Sequence, residues 1–323
     1  ASMATDYILF IHGVNTRERQ AQPSYANDLI KLLDRAIVSH APTLNPKYIP
    51  LYWGDTLFDE QQKRLNKFRA SSQWSRLWFR NFRSKQLMQF IGDATLYINR
   101  HVGAKVVEEL ARQIEANLPS QPQPDDRLHI VAHSWGTVIL FDILFAGRWD
   151  LPTVPGCDRV RTIRQRIFGV APERERGIRL ASIHTLGSPI ALFNLIDLVP
   201  DATGLGSTYD ITRNLQELLQ TLYRERGQQP LPWYNFIHPS DPFAWTLKEV
   251  MQEVVGSGLV EIEDVVTKDT DLTDLLMLPF RQTPVSLLIN GGDAHGSYWR
   301  CREVVQKMSS TIALNRVRQA AIA

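Results

Sequence analysis

Ser134 lies in the pentapeptide Ala132-His133-Ser134-Trp135-Gly136, a setting that suits an activated nucleophile. An apolar run from Leu128 to Ala132 leads in, and an apolar-periodic stretch from Thr137 to about Phe145 leads out. The pentapeptide therefore reads as a sharp turn between a buried strand and a helix. Lifting a hydroxyl clear of such a turn strains the backbone and presses strand against helix, so the positions two before and two after the serine must be very small. Ala132 and Gly136 meet that demand, and His133 and Trp135 fill the places between. The chemistry such a serine could do is attack on a carbonyl, provided that a base takes its proton and fixed donors meet the oxyanion that forms.

The donors are expected at two turns. Tyr7 to Ile11 is a short β-branched and aromatic run that ends in His12-Gly13-Val14-Asn15. A preset backbone N–H can stabilise a tetrahedral intermediate by about 3 kcal/mol. Val14, just after His12-Gly13, and Trp135, just after the serine, are assigned that role. Asp241 follows the run Trp233 to His238 within Pro239-Ser240-Asp241-Pro242. A carboxylate held just past a strand end in a proline-stiffened turn can orient a histidine and stabilise its cation. An aspartate before proline also commonly bonds its own backbone, and that use stays open. Ser188, in Gly187-Ser188-Pro189, is a rival nucleophile, but it precedes proline and lacks the small-residue flanks.

The elements that must position these residues follow a strand, helix, strand rhythm. Ser24 to Ser39 predicts a helix with Ser24 as its cap and Leu29, Leu32, Leu33, Ala36 and Ile37 on one face. Tyr48 to Trp53 predicts the next strand, and Val102 to Leu118 a second amphipathic helix, followed by a proline-rich link, Pro119 to Asp126. Arg148 to Arg176, rich in Pro, Gly and Arg, reads as mostly loop. Ile178 to Leu186 is a further strand, and Leu259 to Val266 a strand or an edge hairpin. Val285 to Ile289 is the last strand-like run, and a C-terminal helix starts near Ser297.

The rhythm stops from Asp55 to about His101. Phe58, Phe68, Trp74, Trp78, Phe79, Phe82 and Phe90 are interleaved there with Lys63, Arg64, Lys67, Arg69, Arg76, Arg80, Arg83 and Lys85. From Phe58 to Ile91 only Asp59 and Glu60 oppose them. This basic, aromatic-rich helical insertion has three readings: a helix pair packed on the core, a cap supplying an apolar acyl pocket, or a peripheral contact with anionic lipid headgroups.

Taken together, the His12-Gly13 turn, the Ala132 to Gly136 elbow, Gly187-Ser188-Pro189, Ser240-Asp241-Pro242 and Asp293-Ala294-His295 resemble a bacterial serine hydrolase of the α/β-hydrolase superfamily, similar to its lipase and esterase members. The resemblance implies an α/β-hydrolase fold: a mainly parallel central sheet with helices on both faces. Here that would be a single domain carrying the insertion at about 55–101. It also implies the chain order nucleophile, acid, histidine. Of the eight histidines only His295 lies after Asp241, in a glycine-rich loop able to lean over the site. His238 is too close to Asp241 on one strand, His133 is locked in the elbow, and His184 packs within its strand. Asp293 is an alternative acid, two residues from His295. The implied chemistry is ester hydrolysis, with Ser134 attacking, His295 as base and Asp241 orienting it. Amidase, peptidase and thioesterase activities use the same triad, and a non-catalytic lipid- or protein-interaction module on the same scaffold is the remaining alternative.

Composition sets the outer limits. The 323 residues suit one large α/β domain with insertions, and the 44% hydrophobic content is enough for a core. A net charge of only +2 gives no global pull towards nucleic acid. The sequence has no phosphate loop, dinucleotide fingerprint or paired-histidine zinc helix, so no cofactor and no metal are expected. Cys157 and Cys301 are expected as free thiols. No apolar run approaches the roughly 18 residues of a spanning helix. The N-terminus lacks a basic segment followed by an apolar stretch, and Ala1-Ser2 ahead of Met3 looks like a cloning remnant, so a cytoplasmic protein is expected.

Overall fold

The computed structural model describes residues 4–13, 23–76, 92, 96–98, 100–193, 210–256, 258–267 and 295–320. At its centre is a six-stranded sheet, all neighbours parallel, in the order β2-β1-β3-β4-β5-β6. The strands are β1 Asp6–Ile11, β2 Pro46–Leu51, β3 Arg127–His133, β4 Arg179–Leu186, β5 Leu231–Ile237 and β6 Val260–Val266. The helices of eight or more residues among those described are α1 Asn27–His40, α2 Phe58–Arg69, α3 Arg100–Asn117, α4 Trp135–Phe145, α5 Cys157–Arg164, α6 Thr212–Glu225, α7 Lys248–Val255 and α8 Arg302–Ala320.

Parallel strands buried on both faces need apolar residues of both parities, and β1 supplies them. Tyr7, Leu9 and Ile11 face a layer containing Val106 and Leu110 of α3, Ile139 of α4, Ile163 of α5, Leu218 of α6 and Met251 of α7. Ile8 and Phe10 face the opposite layer, with Leu29 and Leu33 of α1 and Val304 and Met308 of α8. Helices therefore cover both faces of a parallel sheet, the α/β architecture that the sequence predicts. α4 is buried at every position but Val138, as a helix apolar on all sides must be.

The strand order locates the functional end. The chain leaves β1 for β2 on one side, then returns to β3 on the other, so the direction of winding reverses between β1 and β3. In open α/β sheets, ligands bind outside the carboxyl ends of the strands at such a reversal. His12-Gly13 follows β1 there and Ser134 follows β3, and the register pairs Ile11 with Ala132 just before the two turns.

The structure bears out some expectations and corrects others. Ser24 is not the cap residue of α1. Ala26 holds the cap position, and the Ser24 carbonyl accepts the Asn27 amide at 3.0 Å. Arg148 to Arg176 is mostly loop, as expected, but it also contains α5 and two arginines turned inward. Arg164 donates to the Ile143 and Ala146 carbonyls at 2.8 Å each, closing the C-terminal end of α4, where carbonyls lack helical partners. Arg148 forms a buried pair with Asp142, at 2.9 Å from Nε and 2.6 Å from Nη2; Tyr97 and Trp149 also donate to that carboxylate. Leu259 to Val266 resolves as the parallel edge strand β6. Cys157 and Cys301 are free thiols.

Of the insertion, α2 and a short turn at Trp74–Arg76 are described, with Leu65 and Gln61 buried and Phe68 55% exposed. Most of 77–95 and the strand expected at Val285 to Ile289 lie outside the described residues. Among the described residues, no helix is long and apolar enough to cross a membrane.

Candidate active site

The elbow is built by close approach. Ser134 has φ 54° and ψ −132°, a conformation that costs a non-glycine residue about 1–3 kcal/mol and persists only where its surroundings enforce it. The enforcement is visible. The Ser134 amide donates to the Leu186 carbonyl at 2.9 Å, its carbonyl accepts Thr137 N–H at 3.1 Å, and the Thr137 hydroxyl donates to the Ala132 carbonyl at 3.2 Å. At Gly136 a methyl group would stand 2.3 Å from the His12 carbonyl oxygen, so α4 reaches β1 only without a side chain there. At Gly13 it would stand 2.5 Å from Ser134 Cβ and 2.9 Å from Oγ. The two glycine turns are thus one packed unit, with the serine hydroxyl resting against Gly13.

His12 stiffens that unit from behind. Its Nδ1 donates to the Gly13 carbonyl at 2.6 Å, and its Nε2 accepts the Trp53 amide at 3.1 Å. Its ring stacks on Trp53 with centroids 5.1 Å apart and planes 7° from parallel.

His295 reaches Ser134 from the segment before α8. Its Nε2 lies 2.6 Å from Ser134 Oγ, and its Nδ1 lies 3.0 and 2.9 Å from the two oxygens of Asp241. The carboxylate can only accept, so Nδ1 carries a proton, leaving Nε2 free to take one from the serine. Asp241, beyond the end of β5, is buried. It also accepts the Phe243 amide at 3.0 Å, so the ordinary turn bond and the histidine contact coexist on one side chain. Burial pushes its carboxyl pKa upward. The hydrogen bonds and charge of His295, the Tyr298 hydroxyl and the Phe243 amide outweigh this and hold it below the usual carboxylate value.

The structure therefore brings Ser134, His295 and Asp241 into one hydrogen-bonded line and packs His12, Gly13, Ala132, His133 and Gly136 around Ser134. Trp135 is buried as the first residue of α4, which puts its amide in the helix's N-terminal turn. Val14 and Asp293 lie outside the described residues. Ser188 is 1% exposed and its hydroxyl accepts the Ile190 amide at 3.2 Å, which commits it to a turn. His184 is fully buried in β4 beside the Ser182 hydroxyl at 2.9 Å. Among the described residues, no three His, Cys, Asp or Glu side chains cluster as metal ligands would.

Two contributors escaped the sequence reading. Tyr298 donates to Asp241 Oδ2 at 2.7 Å and accepts the His238 amide at 2.9 Å. Phe243 sets its ring edge against His295, with centroids 4.9 Å apart. Both contacts are long-range or follow from the turn's shape, so spacing alone carries no signal for them.

No family model matches the chain, and no curated protein sequence does. Among solved structures, the chain is similar to the crystal structure of dienelactone hydrolase from Anabaena variabilis ATCC 29413. The two share 11% identity over 93% of this chain and 89% of that one, with a TM-score of 0.32.

Proposed function

We propose that this protein is a serine hydrolase that cleaves carboxylic esters through an acyl-enzyme intermediate. The supporting observation is the unbroken line from Ser134 Oγ to His295 Nε2 at 2.6 Å and from His295 Nδ1 to Asp241 Oδ2 at 2.9 Å, at the carboxyl ends of the central strands.

In the first half-reaction Ser134 Oγ attacks the ester carbonyl carbon while His295 Nε2 takes the hydroxyl proton. The carbonyl oxygen becomes an oxyanion, which the amides of Val14 and Trp135 receive. The positive end of α4 adds to that field. The imidazolium then gives its proton to the departing alcohol, and the Ser134 acyl ester remains. In the second half-reaction His295 takes a proton from water, the hydroxide attacks the acyl carbon, and Ser134 leaves as the alcohol with the proton returned. Asp241 stays ionised throughout and offsets the imidazolium's charge.

No metal or cofactor takes part in these steps. An amidase, peptidase or thioesterase would share the first half-reaction, since the choice among them lies in pocket shape. The described part of the insertion supports a further partner. Lys63, Arg64, Lys67, Arg69 and Arg76 are exposed beside Phe68, a mixture suited to an anionic lipid surface that could present a lipid ester.

The test is turnover of aryl esters of increasing acyl length, together with labelling by a fluorophosphonate. Wild type is expected to hydrolyse the esters and to be labelled at Ser134, and Ser134→Ala to do neither. Equal turnover by Ser134→Ala would overturn the reading. An unlabelled, inactive wild type would favour a non-catalytic module. Matched thioesters and amides separate the hydrolase classes.

A further inference from the structure

His133 is the last residue of β3, next to Ser134, and its imidazole does something that its place in the elbow does not require. Its Nε2 lies 2.6 Å from the backbone carbonyl oxygen of His295, across a sequence separation of 162 residues. A carbonyl oxygen only accepts, so Nε2 carries the proton and the tautomer is fixed. The other nitrogen, Nδ1, is buried and has no hydrogen-bond partner among the described residues. A proton added there would gain no acceptor and would lie in a dry site beside another imidazole, whose ring centroid is 4.7 Å away.

We propose that His133 is a positioning residue for His295: its Nε2–H holds the His295 backbone, and the ring does this as a permanently neutral group. The proposal deepens the serine-hydrolase reading and rests on it for its activity readout. Two physical consequences follow from one side chain. The tether runs from the residue adjoining the nucleophile to the residue supplying the base, so the distance from Ser134 Oγ to His295 Nε2 is set through a short covalent and hydrogen-bonded circuit. A displacement of about 1 Å between reacting groups can cost about 100-fold in rate, so such a circuit matters.

The second consequence is electrostatic. When His295 accepts the serine proton, an imidazolium forms 4.7 Å from the His133 ring. A neutral neighbour leaves that cation to Asp241, whereas a charged one would repel it.

The groups facing His133 agree on the sign. Burial and the neighbouring His295 and His12 disfavour its cation, while Asp241 and the His295 carbonyl favour it less strongly. The result is a pKa lowered to about 3. Tyr298 and Trp299 complete the enclosure, with ring centroids 6.0 and 5.3 Å away.

The experiment compares His133→Leu, which removes the donor, with His133→Gln, which keeps an N–H at similar reach. Leu is expected to lower kcat for an aryl ester by about 10- to 100-fold with KM within about threefold, and Gln to recover a large part of the loss. A Leu variant within about twofold of wild type would overturn the proposal, as would Leu and Gln variants equally impaired. Imidazole 15N spectra of the wild-type protein decide the matter without activity or a folded variant. The His133 ring should keep the proton on Nε2 and show no titration from about pH 8 to about pH 5. A midpoint in that window, or the opposite tautomer, would overturn the tether. A wild type that fails to label with fluorophosphonate but shows this spectrum would remove the hydrolase reading and leave the tether standing.

Discussion

Tyr298 donates its hydroxyl to Asp241 Oδ2 at 2.7 Å, so the segment that carries His295 also grips the carboxylate that holds His295 Nδ1. The same hydroxyl accepts the His238 amide at 2.9 Å, and the ring is fully buried. Burial and the adjoining Asp241 both raise the phenol's pKa, which keeps it a donor. Tyr298→Phe removes a hydrogen bond to a charged group and strands a backbone N–H. An expected loss of about 1.5–3 kcal/mol in stability follows, measurable by urea unfolding at neutral pH.

The pH dependence of that loss has a defined sign. The folded Asp241 carboxyl titrates below its unfolded value, so its contribution is fully present above about pH 4 and disappears as pH falls through the folded pKa. Part of the Tyr298→Phe deficit should therefore shrink under acid conditions. A deficit that stays constant as pH falls from 5 to about 3 would show that the hydroxyl serves the fold through the His238 amide rather than the carboxylate.

Gly13 and Gly136 separate activity from folding. A methyl at Gly13 meets Ser134 Oγ, which can rotate away and lose its contact with His295, and Ser134 Cβ, which yields only by a small backbone shift. Gly13→Ala is expected to cost at least about 100-fold in kcat while destabilising by only about 1–3 kcal/mol. A methyl at Gly136 meets the His12 carbonyl at 2.3 Å, backbone against backbone, and α4 must move off the sheet. Gly136→Ala should therefore be the less stable protein by thermal unfolding. Equal melting temperatures would contradict the packing described for α4 and β1.

The features legible in the sequence were the local ones. Ala132 and Gly136 announce the elbow because their smallness answers a clash within a few residues, and Asp241 because its proline-flanked turn follows a clear strand. His295 needed the chain order that the resemblance implies as well as its own glycine-rich surroundings. Arg148 and Arg164 were misleading, since arginine is ordinarily a surface residue. Here one is buried by Asp142 and the other by the open carbonyls at the end of α4. Tyr298 and the carbonyl held by His133 depend on partners 57 and 162 residues away, and no local pattern reports such pairs.

Two buried histidines predict how the fold responds to acid. Burial, reinforced by His295 for His133 and by His129 for His184, lowers both pKa values to about 3. Below about pH 6.5 the unfolded chain binds protons that these rings refuse in the folded state, so stability falls with pH. At pH 5 each ring accounts for about 2 kcal/mol lost relative to pH 8, or about 4 kcal/mol together. Urea unfolding at the two pH values measures the sum, and His184→Gln should remove about half of the difference. An unchanged difference would mean that His184 is not held neutral.

Asp142 carries the last prediction. It lies within α4, where Arg148, Tyr97 and Trp149 all donate to its carboxylate, and the Arg148 guanidinium is 4.2 Å from the centroid of the Trp149 ring. Asp142→Ala leaves the guanidinium buried without its counter-charge, a change that typically costs about 3–5 kcal/mol. Replacing both partners, Asp142→Leu with Arg148→Met, removes the uncompensated charge and should recover much of that loss, though the Tyr97 and Trp149 donors remain to be satisfied. If the double variant is no more stable than Asp142→Ala, then those two donors, rather than the ion pair, make the carboxylate necessary. Tyr97 belongs to the end of the insertion and Asp142 to the helix that begins at Trp135, so this cluster ties the two together. Susceptibility of the Asp142→Ala variant to limited proteolysis between Asp55 and His101, compared with wild type, would read that tie directly, with faster cleavage as the expected outcome.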